Sequence, residues 1–274
     1  MVCEELGTTF IKFAQIASNR PDILPEELIH ELTMFQDHAA PVSKAKIHRI
    51  LKEEFNRPLK DYFKSIDYNP IASASIAQVH RAKTIGDKEV VLKVQRPDIS
   101  ANIEADIAIL KNLAGIIEQY FPQYTAYQPM ELVKMFETSI LKELKFTSEA
   151  ANIIRFQKQF AKHPDIYVPE VYLEYTTNKV LCMEYIDGFK ITDTKSIEEN
   201  TGLTGADLAL KGINLYFEQV FEYGFFHADP HPGNIFVLKD TGQICFIDFG
   251  MMGYILEKDQ EHIAELLLAI SEKD

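Results

Sequence analysis

His227-Ala228-Asp229-Pro230-His231-Pro232-Gly233-Asn234, the apolar run Ile235–Leu238, a second apolar run Ile244–Ile247 and the triplet Asp248-Phe249-Gly250 together decide how the chain is read. The two apolar runs flank Lys239-Asp-Thr-Gly-Gln243, a turn-rich segment, and so predict an antiparallel hairpin. A hairpin returns the chain to its starting end. Asp229 and Asn234, before the first strand, are thereby brought to the same end as Asp248, after the second. A carboxylate and an amide oxygen are hard donors suited to Mg²⁺, which in turn bridges and neutralises nucleotide phosphates. Asp-Phe-Gly alone is common by chance; the order of the three parts, with strands between them, carries the metal-phosphate reading.

That order is the one protein kinases use: an Asp that orients or deprotonates the acceptor (Asp229), then an Asn (Asn234) and a second Asp (Asp248) that hold Mg²⁺. Further upstream, Val90-Val-Leu-Lys93-Val-Gln95 places a lysine inside an apolar strand, where its stem packs and its ammonium reaches phosphate. Such a lysine needs a carboxylate to fix it; Glu149 is the preferred partner and Glu143 the competitor. Met183-Glu184-Tyr185-Ile186-Asp187-Gly188 ends a strand as an interlobe hinge would, so the backbones of Glu184 and Ile186 are candidates for hydrogen-bonding adenine. At the phosphate-loop position stands Ile71-Ala72-Ser73-Ala74-Ser75-Ile76-Ala77-Gln78. Small residues let backbone approach phosphate but lack glycine's access to positive φ. A purely structural hairpin is the competing reading.

Charge sharpens this picture. The 274 residues hold 28 Lys and Arg against 41 Asp and Glu, a net charge of −13. Residues 1–100 hold 14 of each, so residues 101–274 carry the whole excess. A polyanion bound there meets repulsion unless cations screen it, which argues against nucleic acid and for Mg²⁺ wherever phosphate binds. Only Gly7 and Gly86 precede residue 100, so a glycine-rich phosphate loop is absent from that part. Cys3, Cys182 and Cys245 match neither a zinc spacing nor a disulfide framework, and a reducing compartment is expected. No run reaches the roughly 18–20 apolar residues of a membrane span.

Periodicity predicts helices over 4–18, 26–35 and from Ser43, as N-cap, to Phe55. Three strands follow, at Tyr62–Ile66, Ile76–Ala82 and Glu89–Val94, the last two joined at Gly86-Asp87. Long helices are expected over 99–120 and 129–160, strands at Val171–Tyr175 and Val180–Tyr185, and helices over 205–223 and 257–271. The fold class is therefore α+β, two-lobed, with a cleft between the lobes. The expected division is a helical extension over 1–60, a first lobe with inserted helices over 61–185 and part of a second lobe over 186–274.

On these residues the chain resembles the UbiB/aarF-domain family of atypical kinases, associated with ubiquinone and other isoprenoid-lipid biosynthesis. The match runs through Lys12-Phe-Ala-Gln15, Ser18–Pro25, the Ala/Ser loop into Ser75–Ala82, Val91–Pro97, Glu143–Asn152, His227–Asn234 and Phe246–Gly250. The resemblance implies a protein-kinase-like fold with added helices that shield the active site, and ATP and Mg²⁺ as ligands. It pairs Lys93 with Glu149, makes Asp229 the catalytic-loop aspartate and Asn234 and Asp248 the metal ligands. Lys12 and Gln15 match the family's KxGQ motif, whose lysine is expected to limit access to the pocket. Two positions depart: Ala14 replaces the motif glycine, and Glu143-Leu144-Lys145 carries lysine where the family's E-x-D has aspartate. Lys12 is therefore expected to lose an anionic partner and to dock weakly beside Lys145. The chain stops soon after Gly250, so a truncated second lobe is expected. The expected activity is that of an ATP-binding, Mg²⁺-dependent atypical kinase or ATPase, in the cytoplasm or peripheral to a membrane, with isoprenoid lipid or quinone-biosynthesis proteins as partners and no nucleic acid. A small-molecule phosphotransferase and a non-catalytic nucleotide sensor are the alternatives.

Overall fold

Alternating and continuous apolar runs build the first sheet of the computed structural model, which describes residues 9–10, 12–13 and 40–272. β3 (Ala77–Thr84) and β4 (Glu89–Gln95) pair antiparallel from Ala77↔Gln95 to Lys83↔Glu89, with Lys93 opposite Val79. Asp87, at the turn, adopts φ 65 and is held by Lys64 and Lys83. With β1 (Phe63–Ile66) and β6 (Val180–Glu184) the order is β1-β3-β4-β6, and the short β2 (Ala72–Ser73) pairs with β3. Val90, Val91, Leu92 and Val94 are all buried, as a strand flanked on both sides requires.

The chain divides into two compact units: Met1–Phe146 with Glu174–Cys182, and Thr147–Leu173 with Met183–Asp274. In the first, α1 (Lys44–Glu54) buries Ile47, Ile50 and Leu51. Ser43 stands at its N-cap, but it is the Ser43 carbonyl that binds Lys46 and Ile47, and its hydroxyl makes no cap bond. α2 (Ile99–Tyr120) and α3 (Pro129–Glu143) share one apolar cluster through Ile103, Ile107, Val133, Phe136 and Ile140. The helical residues Thr9–Phe10 and Lys12–Phe13 join it: Phe10 is buried there and Phe13 meets Phe136 edge-on at 5.3 Å. Each fully buried large apolar side chain contributes roughly 1.5–3 kcal/mol. The remainder of the helices expected over 4–18 and 26–35 lies outside the described residues.

The single helix expected over 129–160 is two. α3 ends at Glu143 and α4 (Phe146–Gln159) begins after Leu144-Lys145. The buried amide of Gln95 donates to the Leu144 carbonyl, which continued helix would need, and Phe146 N–H donates to Asn178 O at 3.1 Å. Apolar periodicity runs through such a break undisturbed.

In the second unit, residues of α4 pack their aromatic face on the strands: Phe156 meets Phe160, Phe225, Phe246 and Phe249 at 4.6–6.4 Å. β9 (Ile235–Leu238) and β10 (Ile244–Phe246) form the expected hairpin, and the sheet order is β5-β10-β9-β7, with β5 (Ile166–Tyr167) parallel to β10 and β7 (Gly188–Lys190) on β9. α5 (Thr194–Thr201) precedes α6 (Gly205–Phe217), whose start is closed by a Thr204–Asp207 capping box. The helix expected to reach 223 instead widens after Phe217 into a π turn, Glu218–Glu222. β8 (Phe225–His227) pairs with β11 (Met252–Tyr254), and α7 (Glu257–Glu272) closes the described chain.

No strand forms over Val171–Tyr175: Val171 makes an isolated bridge to Met183, and Leu173–Tyr175 is a 3₁₀ turn. The Thr177 and Thr176 hydroxyls accept from the amides of Val180 and Cys182 at 3.1 Å each, taking the places a partner strand would fill. Among the described residues no helix is long and apolar enough to cross a membrane.

Candidate active site

The β9–β10 hairpin does what its sequence implies. Asn234 closes a 3₁₀ turn (Pro232–Asn234) in which His231 Nδ1 accepts from Gly233 N–H at 3.0 Å and the His231 carbonyl from Asn234 N–H at 2.9 Å. The Asn234 carbonyl accepts from Ile247 N–H at 3.0 Å, so Asn234 lies beside the residue that precedes Asp248. Asp248 Oδ1 accepts from Gly250 N–H at 2.9 Å, folding Asp-Phe-Gly into a tight turn. Among the described residues no group of three or more His, Cys, Asp and Glu is placed to hold a metal alone. An amide and a carboxylate oxygen, as Asn234 and Asp248 would offer, suit a hard cation such as Mg²⁺ and not a zinc site.

His227 ties the two loops together. Its Nε2 bonds the Asp248 carbonyl, its Nδ1 accepts from Asp229 N–H at 3.3 Å, and its ring stacks on Phe246 at 5.0 Å. Burial holds its pKa below the usual imidazole value, so the neutral ring is favoured. His227 N–H donates to the side chain of Gln219 at 2.9 Å. Sequence reasoning passed over Gln219, although a signal was there: it falls four residues after Leu215, on the stripe that buries Leu208 and Leu215.

Glu149 is 3% exposed on the first turn of α4. Its Oε1 accepts from Phe249 N–H at 3.3 Å, and Asn152, three residues on, donates to the Phe249 carbonyl at 2.9 Å. Both backbone groups of Phe249 are thus held from one helix face. Glu184 has its carboxylate and its N–H already engaged. Its carboxylate accepts from Tyr167 Oη at 2.8 and 3.0 Å and from Glu170 N–H, while its own N–H donates to the Glu170 carbonyl at 2.8 Å. Any contact of this residue with a base is left to its carbonyl. Burial and Glu184 push the Tyr167 hydroxyl pKa far up, keeping it a donor. Ile186 is half-buried between β6 and β7.

In the first unit, Lys93 is half-buried in β4 with its Nζ 5.5 Å from the centre of the Phe146 ring. The Ala/Ser segment is less of a loop than expected. Ala72 and Ser73 pair with Val79 and Gln78, and Ala74 N–H donates to Ala77 O at 2.9 Å, leaving a short turn that includes the buried Ser75. Arg96 clamps this turn: Nε donates to Ala74 O at 2.7 Å, and Nη2 to Ser73 Oγ at 2.9 Å and to Ala40 O at 3.0 Å. Lys12 keeps an anionic partner, Glu143 Oε1 at 3.0 Å, while Lys145 is exposed. Glu143, the first position of Glu143-Leu144-Lys145, is thus an anionic partner of Lys12, and Lys145 supplies no second one. Gln15 and Ala14 lie outside the described residues.

The model of the ABC1 atypical kinase-like domain matches residues 34–274. The chain belongs to this family. Among curated relatives it is 40% identical to the probable protein kinase UbiB of Cellvibrio japonicus, over 99% of this chain and 50% of that one, and 37% identical to the probable protein kinase UbiB of Vibrio cholerae, over 100% and 51%. The chain thus spans about half the length of the curated relatives it matches. Among solved structures, Rv3197 of Mycobacterium tuberculosis in complex with erythromycin is 29% identical, with a TM-score of 0.65 over 94% of this chain and 67% of that one. The mixed helix and sheet architecture is accordingly that of a kinase-like domain.

Proposed function

We propose that this chain is the nucleotide-binding part of an ATP- and Mg²⁺-dependent atypical kinase or ATPase that serves ubiquinone or other isoprenoid-lipid biosynthesis. The observation that carries the reading is the bonding of His227 to both Asp248 and Asp229, which makes the acceptor aspartate and the metal-binding aspartate one assembly. The names of the relatives and the family support the pathway. In this reading residues 1–60 are a helical extension carrying Lys12 and Gln15, 61–185 a first lobe with inserted helices and 186–274 residues of a second, and the protein works in the cytoplasm or peripheral to a membrane.

Each residue then has a physical task. Lys93 holds the α- and β-phosphates, oriented by Glu149. Small side chains at Ala72, Ser73, Ala74 and Ser75 let the backbone approach phosphate, and the backbones of Glu184 and Ile186 face adenine. Asn234 and Asp248 hold Mg²⁺, which when bound draws charge off the phosphates and lines them up for transfer. Asp229 accepts a hydrogen bond from the attacking hydroxyl or water, aiming its lone pair and taking its proton as transfer proceeds. Glu143 and Lys145 set how firmly Lys12 docks.

The test is ATP turnover with Mg²⁺ in the wild type and in Asp248→Asn, with and without lipid. Loss of turnover in the variant supports the assignment; full turnover overturns it. Labelled phosphate on a soluble metabolite selects a small-molecule phosphotransferase, and nucleotide binding with no turnover selects a sensor.

A further inference from the structure

We infer that Gln219 is a positioning residue for the catalytic loop, holding the backbone of His227 so that its ring can bond Asp229 and Asp248 together; this rests on the reading of those aspartates proposed above. Gln219 is 1% exposed and stands where the apolar stripe of α6 calls for another leucine. An unpaired amide at such a place is destabilising, so a glutamine there needs a specific partner. Its Oε1 has one: the N–H of His227, 2.9 Å away. β8 belongs to a two-stranded sheet, and Gln219 supplies to it the acceptor that a further strand would. The residue also lies in the π turn Glu218–Glu222, and such widened turns recur at functional sites.

From His227 the bonds continue to both aspartates. Asp229 N–H donates into Nδ1, so that nitrogen carries no proton, and Nε2 bears the hydrogen that reaches the Asp248 carbonyl. A single neutral tautomer satisfies both contacts. Releasing the His227 backbone lets the ring shift, and a shift changes the separation of Asp229 and Asp248 without removing either. The expected signature is a fall in turnover with nucleotide affinity preserved, since positioning errors cost rate more than binding.

The experiment compares the wild type, Gln219→Met, Asp248→Asn and Val220→Ala, a change at a buried neighbour in the same turn that leaves the amide intact. Gln219→Met is expected to lower kcat at least about tenfold with nucleotide Kd within about twofold, whereas Val220→Ala keeps its turnover. The ¹⁵N imidazole signals of His227 are expected to report the Nε2–H tautomer in the wild type and a mixture in Gln219→Met. Should Gln219→Met not fold, Gln219→Asn, which withdraws the oxygen by one methylene, carries the same expectations. Wild-type kcat and an unchanged tautomer in the Gln219 variant overturn the inference, as does an equal loss in Val220→Ala. An active Asp248→Asn overturns the functional reading instead, and a wild type without turnover leaves the tautomer measurement to decide on Gln219.

Discussion

The buried carboxylate of Glu149 accepts the backbone N–H of Phe249, 100 residues further along the chain, at 3.3 Å. The glutamate proposed to orient Lys93 is thereby joined to the middle residue of Asp-Phe-Gly. Replacing it by alanine leaves a buried donor without a partner, at a cost of about 1–3 kcal/mol. Glu149→Ala is expected to lower the urea midpoint clearly and Glu149→Gln, which retains an acceptor, much less. Equal midpoints for the two variants contradict the role given to this bond.

Arg96 reaches three acceptors on two segments, Ala74 O, Ser73 Oγ and Ala40 O. Lysine keeps the charge but not the planar fork. Arg96→Lys is expected to speed amide hydrogen exchange at Ala74 and to reduce the thermal shift produced by ATP with Mg²⁺. Unaltered protection in the variant shows that the turn is held by its own backbone bonds alone.

Lys12 pairs with Glu143, and Lys145 stands two residues away in the chain with no carboxylate of its own to offer. Lys145→Asp adds a second anionic group near the ammonium. Slower hydrogen exchange at residues 9–13 and lower ATP turnover are the expected results, and no change in either counts against a gating role for Lys12.

Burial depresses the pKa of both His80 and His227. The unfolded chain, with imidazoles near about 6.5, therefore binds more protons than the native one as the pH falls below that value. Their contribution is complete above pH ~6.5 and declines as the pH drops toward the native pKa values. Denaturation midpoints are expected to fall between about pH 7 and about pH 5.5, a range in which ordinary carboxylates stay largely ionised. A flat profile across that interval excludes the two histidines as determinants.

Residues 101–274 carry the whole net charge of −13, and the proposed metal ligands lie among them. ATP added with EDTA is expected to give little or none of the melting shift that ATP with Mg²⁺ gives, because the phosphates then face unscreened carboxylates. An equal shift in both conditions means the nucleotide is held without the metal.

What the sequence by itself determined was local: the β9–β10 hairpin that sets Asn234 beside Asp248, the strand that carries Lys93, the span of α2, and the uneven charge. These follow from apolar period, turn residues and spacing over a few neighbours, and they sufficed for the fold class. Only tertiary structure decided the break at Leu144-Lys145, where the side chain of Gln95 binds the Leu144 carbonyl, the pairing of β5 with β10, and the isolated bridge that is all Val171–Tyr175 contributes. It alone decided that the Thr176 and Thr177 hydroxyls cap β6, that Arg96 closes the Ala/Ser turn, that Glu149 and Asn152 hold Phe249, and that Gln219 holds His227. Each of these is a hydrogen bond whose donor and acceptor are set by packing between distant or differently directed segments. A buried polar group must find a partner, and the sequence states the need without naming the partner.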